Sequence, residues 1–306
     1  MTQYAWMFPG QGSQAVGMGE ALAQHPAGRE VFQRADEALG FALSKLCFEG
    51  PESELTLTAN TQPAILTCSI AALRVLQAET SATAAVCLGH SLGEFSALVA
   101  AGALKFEDAV RLVRLRGEAM QAAVPAGVGA MAAIIGLAVE ELDALCLEAA
   151  QGEVVSPANE NGGGQIVVAG HAGAVDRLVA LAKSRKARGI PLKVSAPFHC
   201  ALMQPAADRL AEALADIEVS DPTIPVVTNV EAEPNTDGAR VASLLVQQVT
   251  HRVRWEASVR KVVHMGVTEA LETGHGKVLA GLVRRIDKTL RVRGVGSPDD
   301  VSVLDL

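Results

Sequence analysis

The sequence predicts an α/β fold in which a large alternating unit carries a smaller one inserted within it. Three observations predict it. Of the 306 residues, 49% are hydrophobic and only 3% aromatic, a composition that suits Ala-rich helices packed closely on strands and matches a disordered chain poorly. Short apolar runs of strand length alternate with longer stretches of helical period. That rhythm breaks between residues 125 and 196, where the signals follow the order β-α-β-β-α-β. The length fits one or two domains.

Taken in order, the apolar run Tyr4–Phe8 reads as a strand that Pro9-Gly10 ends. Helical patterns follow at 18–25 and 28–39, and a longer one over 61–78 opens with a polar Thr61 and Pro63. Residues 84–88 form a compact apolar strand closed by Gly89. Helices resume at 92–101 and 106–122, the second led by Glu107 and Asp108, which suit the positive end of a helix. Next come a strand at 130–135, a helix at 139–150, strands at 154–159 and 165–169, a helix at 172–187 and a strand at 190–194. This order is the ferredoxin-like unit. It places an inserted subdomain at 125–196 inside a large domain made of 1–124 and 197–306, with Pro125-Ala-Gly127 and Ser195-Ala-Pro197 as the crossings. The remainder reads as helix 202–213, extended 224–229, helices 239–249 and 255–264, strand 267–272, a helix at 277–286 that ends before 289–292, and a loosely held polar tail at 296–306. No repeat or low-complexity segment interrupts it.

Charge and cysteine content narrow the function. With 26 Lys+Arg against 34 Asp+Glu the net charge is −8, which weighs against nucleic-acid binding. No apolar run reaches the ~18 residues of a membrane span, and the start lacks the basic n-region of a secretory signal. A cytoplasmic protein is therefore expected. Cys47, Cys68, Cys87, Cys146 and Cys200 are odd in number and widely spaced without C-x-x-C, so they read as buried apolar thiols. Neither a disulfide framework nor a metal site is suggested.

Gly89-His90-Ser91-Leu92-Gly93 fits G-x-S-x-G between a strand and a helix. The glycines allow a sharp turn that exposes the serine oxygen, and the helix N-terminus offers free amide hydrogens to an oxyanion. A serine N-cap beside convenient glycines is the plainer alternative. A serine of ordinary pKa needs a base. Among seven histidines, His90 adjoins Ser91, but neighbouring side chains in a sharp turn point apart; His25, His171 and His264 read as structural or solvated. His199 follows Ser195-Ala-Pro197-Phe198, a junction loop of the kind that lines a cleft. Taken alone, this favours His199 modestly. Cys200 beside it reads as a small packed side chain, with a reactive thiol as the alternative.

Five motifs occur in one order: Phe8-Pro-Gly-Gln11-Gly-Ser-Gln14, Gly89-His-Ser91-Leu-Gly-Glu94, Arg116-Gly-Glu-Ala-Met-Gln121, Ala196-Pro-Phe-His199 and Gly274-His-Gly-Lys-Val-Leu279. Together they resemble the malonyl-CoA:acyl carrier protein transacylases and the acyltransferase domains of fatty-acid and polyketide synthases, over nearly the whole chain to about residue 287. The resemblance implies an α/β-hydrolase-like large domain with a ferredoxin-like insertion. It also implies Ser91 as nucleophile, His199 as general base, and the amides of Gln11 and Leu92 as oxyanion hole. Arg116 would pair with the malonyl carboxylate, a role suited to a guanidinium fork that keeps its charge; Arg111 and Arg114 read as plain helix-surface arginines. Gln248 would position the histidine or substrate, with a backbone carbonyl nearby in place of an acidic triad member. His90 and Phe198 join Arg116 and Gln248 as substrate-binding residues, and Phe198 implies malonyl over methylmalonyl units because its ring crowds an α-methyl group. Gly162-Gly-Gly164 and Arg252 depart from the family pattern without touching a catalytic atom.

The implied reaction moves malonyl from malonyl-CoA to the phosphopantetheine thiol of acyl carrier protein through a malonyl-Ser91 ester. No bound cofactor is expected, and the protein is expected to be a monomer. Lys183-Ser-Arg185-Lys186-Ala-Arg188 is the densest basic cluster for an acidic carrier protein; cations at a helix C-terminus equally suit the dipole. The rival reading is a serine esterase or thioesterase of the α/β-hydrolase type. A carrier-binding scaffold with a dead site is disfavoured because Ser91 and His199 are both present. A chain with its own start and tail leans toward fatty-acid synthesis rather than a polyketide pathway.

Overall fold

Strand β1 (Tyr4–Phe8) is buried along its whole length, because it lies inside a sheet covered on both faces. The computed structural model describes residues 4–192, 194 and 196–304. After β1 come helices α1 (Pro26–Leu39), α2 (Leu43–Glu49), α3 (Glu52–Leu55) and α4 (Thr58–Glu79), then β2 (Ala84–Gly89), α5 (Gly93–Ala100) and α6 (Phe106–Ala122). The next group is β3 (Gly129–Ile135), α7 (Val139–Ala150), β4 (Val155–Gly162), β5 (Gln165–His171), α8 (Ala172–Ser184) and β6 (Arg188–Pro191). The last begins with α9 (Gln204–Ala215), short strands β7 (Val226–Val227) and β8 (Pro234–Asn235), α10 (Gly238–Thr250) and α11 (Trp255–His264). It ends with β9 (Glu269–Thr273), α12 (Val278–Ile286), β10 (Arg291–Val295) and α13 (Pro298–Ser302).

A six-stranded sheet runs β10-β9-β1-β2-β7-β8 and is parallel except at the β7–β8 pair. Strand alternation sorts its side chains. Tyr4, Trp6 and Phe8 join the core built with α1, α4, α5, α6, α9 and α10, whereas Ala5 and Met7 join the core under α11 and α12. Helix α4 is buried over most of its circumference, so its apolar residues do not follow a one-sided stripe. Each of Ile65, Leu66, Leu73 and Leu76, nearly inaccessible there, contributes roughly 1.5–3 kcal/mol by leaving water.

The second sheet runs β4-β5-β3-β6 and is antiparallel throughout. Ala132, Ile134, Ile166 and Val168 pack under α7 and α8. The other face turns Met131, Ala133, Val167 and Ala169 toward Cys200, Phe198 and Leu202. Its β4 edge is tied to the rest of the chain: Glu160 N–H donates to the Val253 carbonyl at 2.9 Å, and Val253 N–H to that of Ala158 at 2.8 Å.

Several expected elements differ. Residues 18–25 do not form a helix, because Gly17 and Gly19 take positive φ and only a 3-10 turn, Leu22–Gln24, forms before Pro26. Helices α2 and α3 and the short β8 were not foreseen. Strand β6 begins and ends earlier than 190–194, and Ser195 of the second crossing lies outside the described residues. The polar tail contains α13, capped by Ser297 and anchored by buried Val301. All five cysteines are free and buried, and the Cys200 thiol, pushed up to about 11 by burial, stays neutral. Among the described residues, no helix is long and apolar enough to cross a membrane.

Candidate active site

The turn between β2 and α5 closes because glycine stands at both ends. A Cβ on Gly89 would lie 2.0 Å from the Gly93 carbonyl, and one on Gly93 2.0 Å from the Phe8 carbonyl oxygen. Between them Ser91 sits at φ 52°, a left-handed conformation that costs a non-glycine residue about 1–3 kcal/mol. Hydrogen bonds hold it there. Its N–H donates to Asn229 Oδ1 at 2.7 Å, and its carbonyl accepts from Gln248 Nε2 at 2.9 Å. Asn229 Nδ2 in turn donates to the Gly89 carbonyl at 2.7 Å.

His199, at the end of the junction loop, also adopts a left-handed φ of 61°, and its Nε2 lies 2.7 Å from Ser91 Oγ. Its Nδ1 is 2.8 Å from the backbone carbonyl of Gln248. A carbonyl only accepts, so Nδ1 carries the hydrogen and Nε2 is left free to take the serine proton. Burial first, and the positive charge of Arg116 second, push the imidazole down to about 3. It is therefore neutral at physiological pH.

Arg116 projects from α6 and is 2% exposed. Its Nη2 donates to Ser91 Oγ at 3.1 Å and to Gln248 Oε1 at 2.9 Å, and its Nη1 to Gln62 Oε1 at 2.7 Å. The buried Nε–H has no partner among the described residues. Burial lowers the guanidinium to about 10, which still leaves it charged. Glu94, on the first turn of α5, accepts from Gln248 Nε2 at 2.7 Å and from Asn229 N–H at 3.0 Å. Burial pushes its carboxyl up to about 7, against those hydrogen bonds and the Arg116 charge.

Ser91, His199 and Arg116 face a cavity of about 320 Å³ that Gln11, His90, Leu92 and Phe198 also line, with Met131, Asn161 and Val167 from the smaller sheet. Of the residues expected at the site, Gln248 alone does not line it; it is fully buried behind and braces the others. The N–H groups of Gln11 and Leu92 donate to no protein acceptor among the described residues. His90 is bound to Asn161 Oδ1 at 3.0 Å, with its ring against Trp255. Arg111 and Arg114 pair on the surface with Asp108 and Glu118. Lys183, Arg185, Lys186 and Arg188 are exposed around the end of α8, away from these contacts. Sequence reasoning missed roles for Glu94, Asn229, Gln62 and Asn161. Glu94 lies inside a quoted motif and Asn229 ends an expected strand, where loop-facing polar residues gather.

A glycine-flanked serine, a neutral histidine and two open amides are the groups that acyl transfer requires. Residues 5–294 match the family model described as the acyl transferase domain, and the chain belongs to that family. It is 50% identical over 304 residues to the malonyl CoA-acyl carrier protein transacylase of Salmonella typhimurium, covering 99% of this chain and 98% of that protein. The structure of the malonyl CoA-acyl carrier protein transacylase from Coxiella burnetii superposes with a TM-score of 0.96 at 43% identity, covering 98% and 96% of the two chains. A structure of a type II PKS acyl-carrier protein in complex with its malonyl-transacylase matches with a TM-score of 0.95 at 46% identity, covering 98% of each chain.

Proposed function

We propose that this chain transfers malonyl from malonyl-CoA to the phosphopantetheine thiol of an acyl carrier protein for fatty-acid elongation, through an ester on Ser91. The observation that carries this reading is the buried Arg116 guanidinium 3.1 Å from the serine oxygen. A hydrolase of neutral esters has no use for a fixed cation there, whereas an acyl group ending in a carboxylate needs one. Ser91 Oγ attacks the thioester carbon while His199 Nε2 takes its proton. The amides of Gln11 and Leu92 receive the oxyanion, each contributing roughly 3 kcal/mol of barrier lowering. As the tetrahedral adduct collapses, the C–S bond breaks and His199 protonates the departing CoA sulfur. The carrier thiol enters by the reverse sequence, its proton passing to His199 and then back to Ser91. The chain itself supplies nucleophile, base and oxyanion donors, so the exchange requires no bound cofactor. This role places the protein in the cytoplasm with its thioester substrates.

The large-domain and insertion boundaries at 124/125 and 196/197 belong to the same reading. The parallel sheet supports a hydrolase-like large domain, and the β4-β5-β3-β6 order supports a ferredoxin-like insertion. Arg116→Ala should lose preference for malonyl-CoA over acetyl-CoA in kcat/KM. Unchanged selectivity would rule the clamp out.

A further inference from the structure

Arg116 is not the only charge sealed into this site. Glu94 is 2% exposed, and the side chain of Gln248 joins the two: its Oε1 accepts from Arg116 Nη2 at 2.9 Å and its Nε2 donates to Glu94 Oε2 at 2.7 Å. The amide can face only one way, because a carboxylate and the Ser91 carbonyl both demand donors from its nitrogen. A buried guanidinium is thus balanced through one neutral amide by a buried carboxylate. An arriving acyl carboxylate adds a second negative charge to a space that holds one positive charge, and burial of unbalanced charge is costly.

We infer that Glu94 sets the charge of the acyl pocket, and that seating the acyl carboxylate on Arg116 is linked to uptake of a proton by Glu94. The inference rests on the reading of Arg116 as the carboxylate clamp. Glu94 never touches the substrate; it is a positioning residue that acts through Gln248. While it is ionised, Arg116 is partly neutralised and receives the acyl group less tightly. Once it is protonated, Arg116 offers its full charge. The free carboxyl, pushed up to about 7, is poised to exchange its proton near neutral pH.

Among the described residues no other ionised group competes for that role. From α6 only Arg116 acts on Glu94, from α10 comes neutral Gln248 and from the turn after β7 neutral Asn229. The other packed elements carry Tyr4 on β1, Cys87 on β2, and Cys68 with exposed Arg74 and Glu79 on α4. None of these bears on the carboxyl, and burial keeps both thiols neutral. By linkage, affinity for the acyl carboxylate should fall as pH rises, by up to about tenfold per pH unit, the ceiling for one proton.

The test uses the Ser91→Ala protein, which binds without turnover, in calorimetric titrations with malonyl-CoA and acetyl-CoA in buffers of different ionisation enthalpy. The CoA phosphates are common to both ligands, so their protons cancel in the difference. Malonyl-CoA should take up more protons than acetyl-CoA, by up to about one, and adding Glu94→Gln should erase the difference and flatten the pH dependence. Tighter malonyl-CoA binding with equal proton counts would overturn the linkage while sparing the clamp. Equal affinity for the two ligands would overturn the clamp itself. The Ser91→Ala measurement decides the matter even if the doubly substituted protein fails to fold.

Discussion

Ser91 keeps its left-handed backbone because Asn229 takes its N–H and Gln248 supports its carbonyl. Replacing Asn229 by Leu would leave the Ser91 N–H and the Gly89 carbonyl without partners in a buried place. That should cost about 1–3 kcal/mol, read as a lower urea midpoint, and should slow formation of the acyl-enzyme because the hydroxyl loses its aim at His199. A variant with unchanged stability and acylation rate would show that the glycines alone hold the turn. At this scale the sequence points to Ser91 by its own turn, to His199 only modestly, and to Arg116 through the family its motifs resemble. It left Glu94 and Asn229 unread. Their roles arise from contacts across more than a hundred residues, which no local spacing records.

The turn between β2 and α5 works as a unit with β1, and glycine substitutions separate packing from propensity. Gly93→Ala would drive its Cβ to within 2.0 Å of the Phe8 carbonyl oxygen, backbone against backbone, with a strand and a helix that cannot retreat. A loss of at least about 1–3 kcal/mol is expected, with Ser91 displaced. Gly281 in α12 is exposed and its added Cβ would meet nothing. Gly281→Ala should therefore stabilise by roughly 0.5–1 kcal/mol, and thermal denaturation of the two variants side by side checks both signs. Elements with strong apolar period were legible: β1, α6, α7 and α11 match their expected spans. Residues 18–25 misled because apolar spacing there competes with two glycines at positive φ. The tail at 296–306 misled in the other direction, since one Ser cap and one buried Val suffice to fix α13.

For the whole molecule, the buried site makes stability depend on pH in two opposed ways. The folded His199 imidazole is depressed from 6.5 to about 3, so the unfolded chain binds the extra proton and stability falls as pH drops from 6.5 toward 3. The folded Glu94 carboxyl is raised from 4.5 to about 7, so the folded state holds the extra proton and stability falls as pH rises from 4.5 through 7. Glu94→Gln should remove the second slope. Relative to wild type, the variant should gain roughly 3 kcal/mol between those limits, measured by urea unfolding at each pH. A constant difference would mean that Glu94 does not titrate in this window. His199 lines the cavity and Glu94 stands behind it through Gln248, so both slopes report on the same site.

In the proposed mechanism Ser91 carries a malonyl group from one thiol to another. Its most direct test is the intact mass of wild type and Ser91→Ala after brief exposure to malonyl-CoA, followed by addition of phosphopantetheinylated carrier protein. A malonyl adduct on wild type alone, discharged rapidly by carrier protein and slowly by water, is the predicted result. Absence of the adduct, or its discharge by water as fast as by carrier protein, would contradict it and point to a hydrolase.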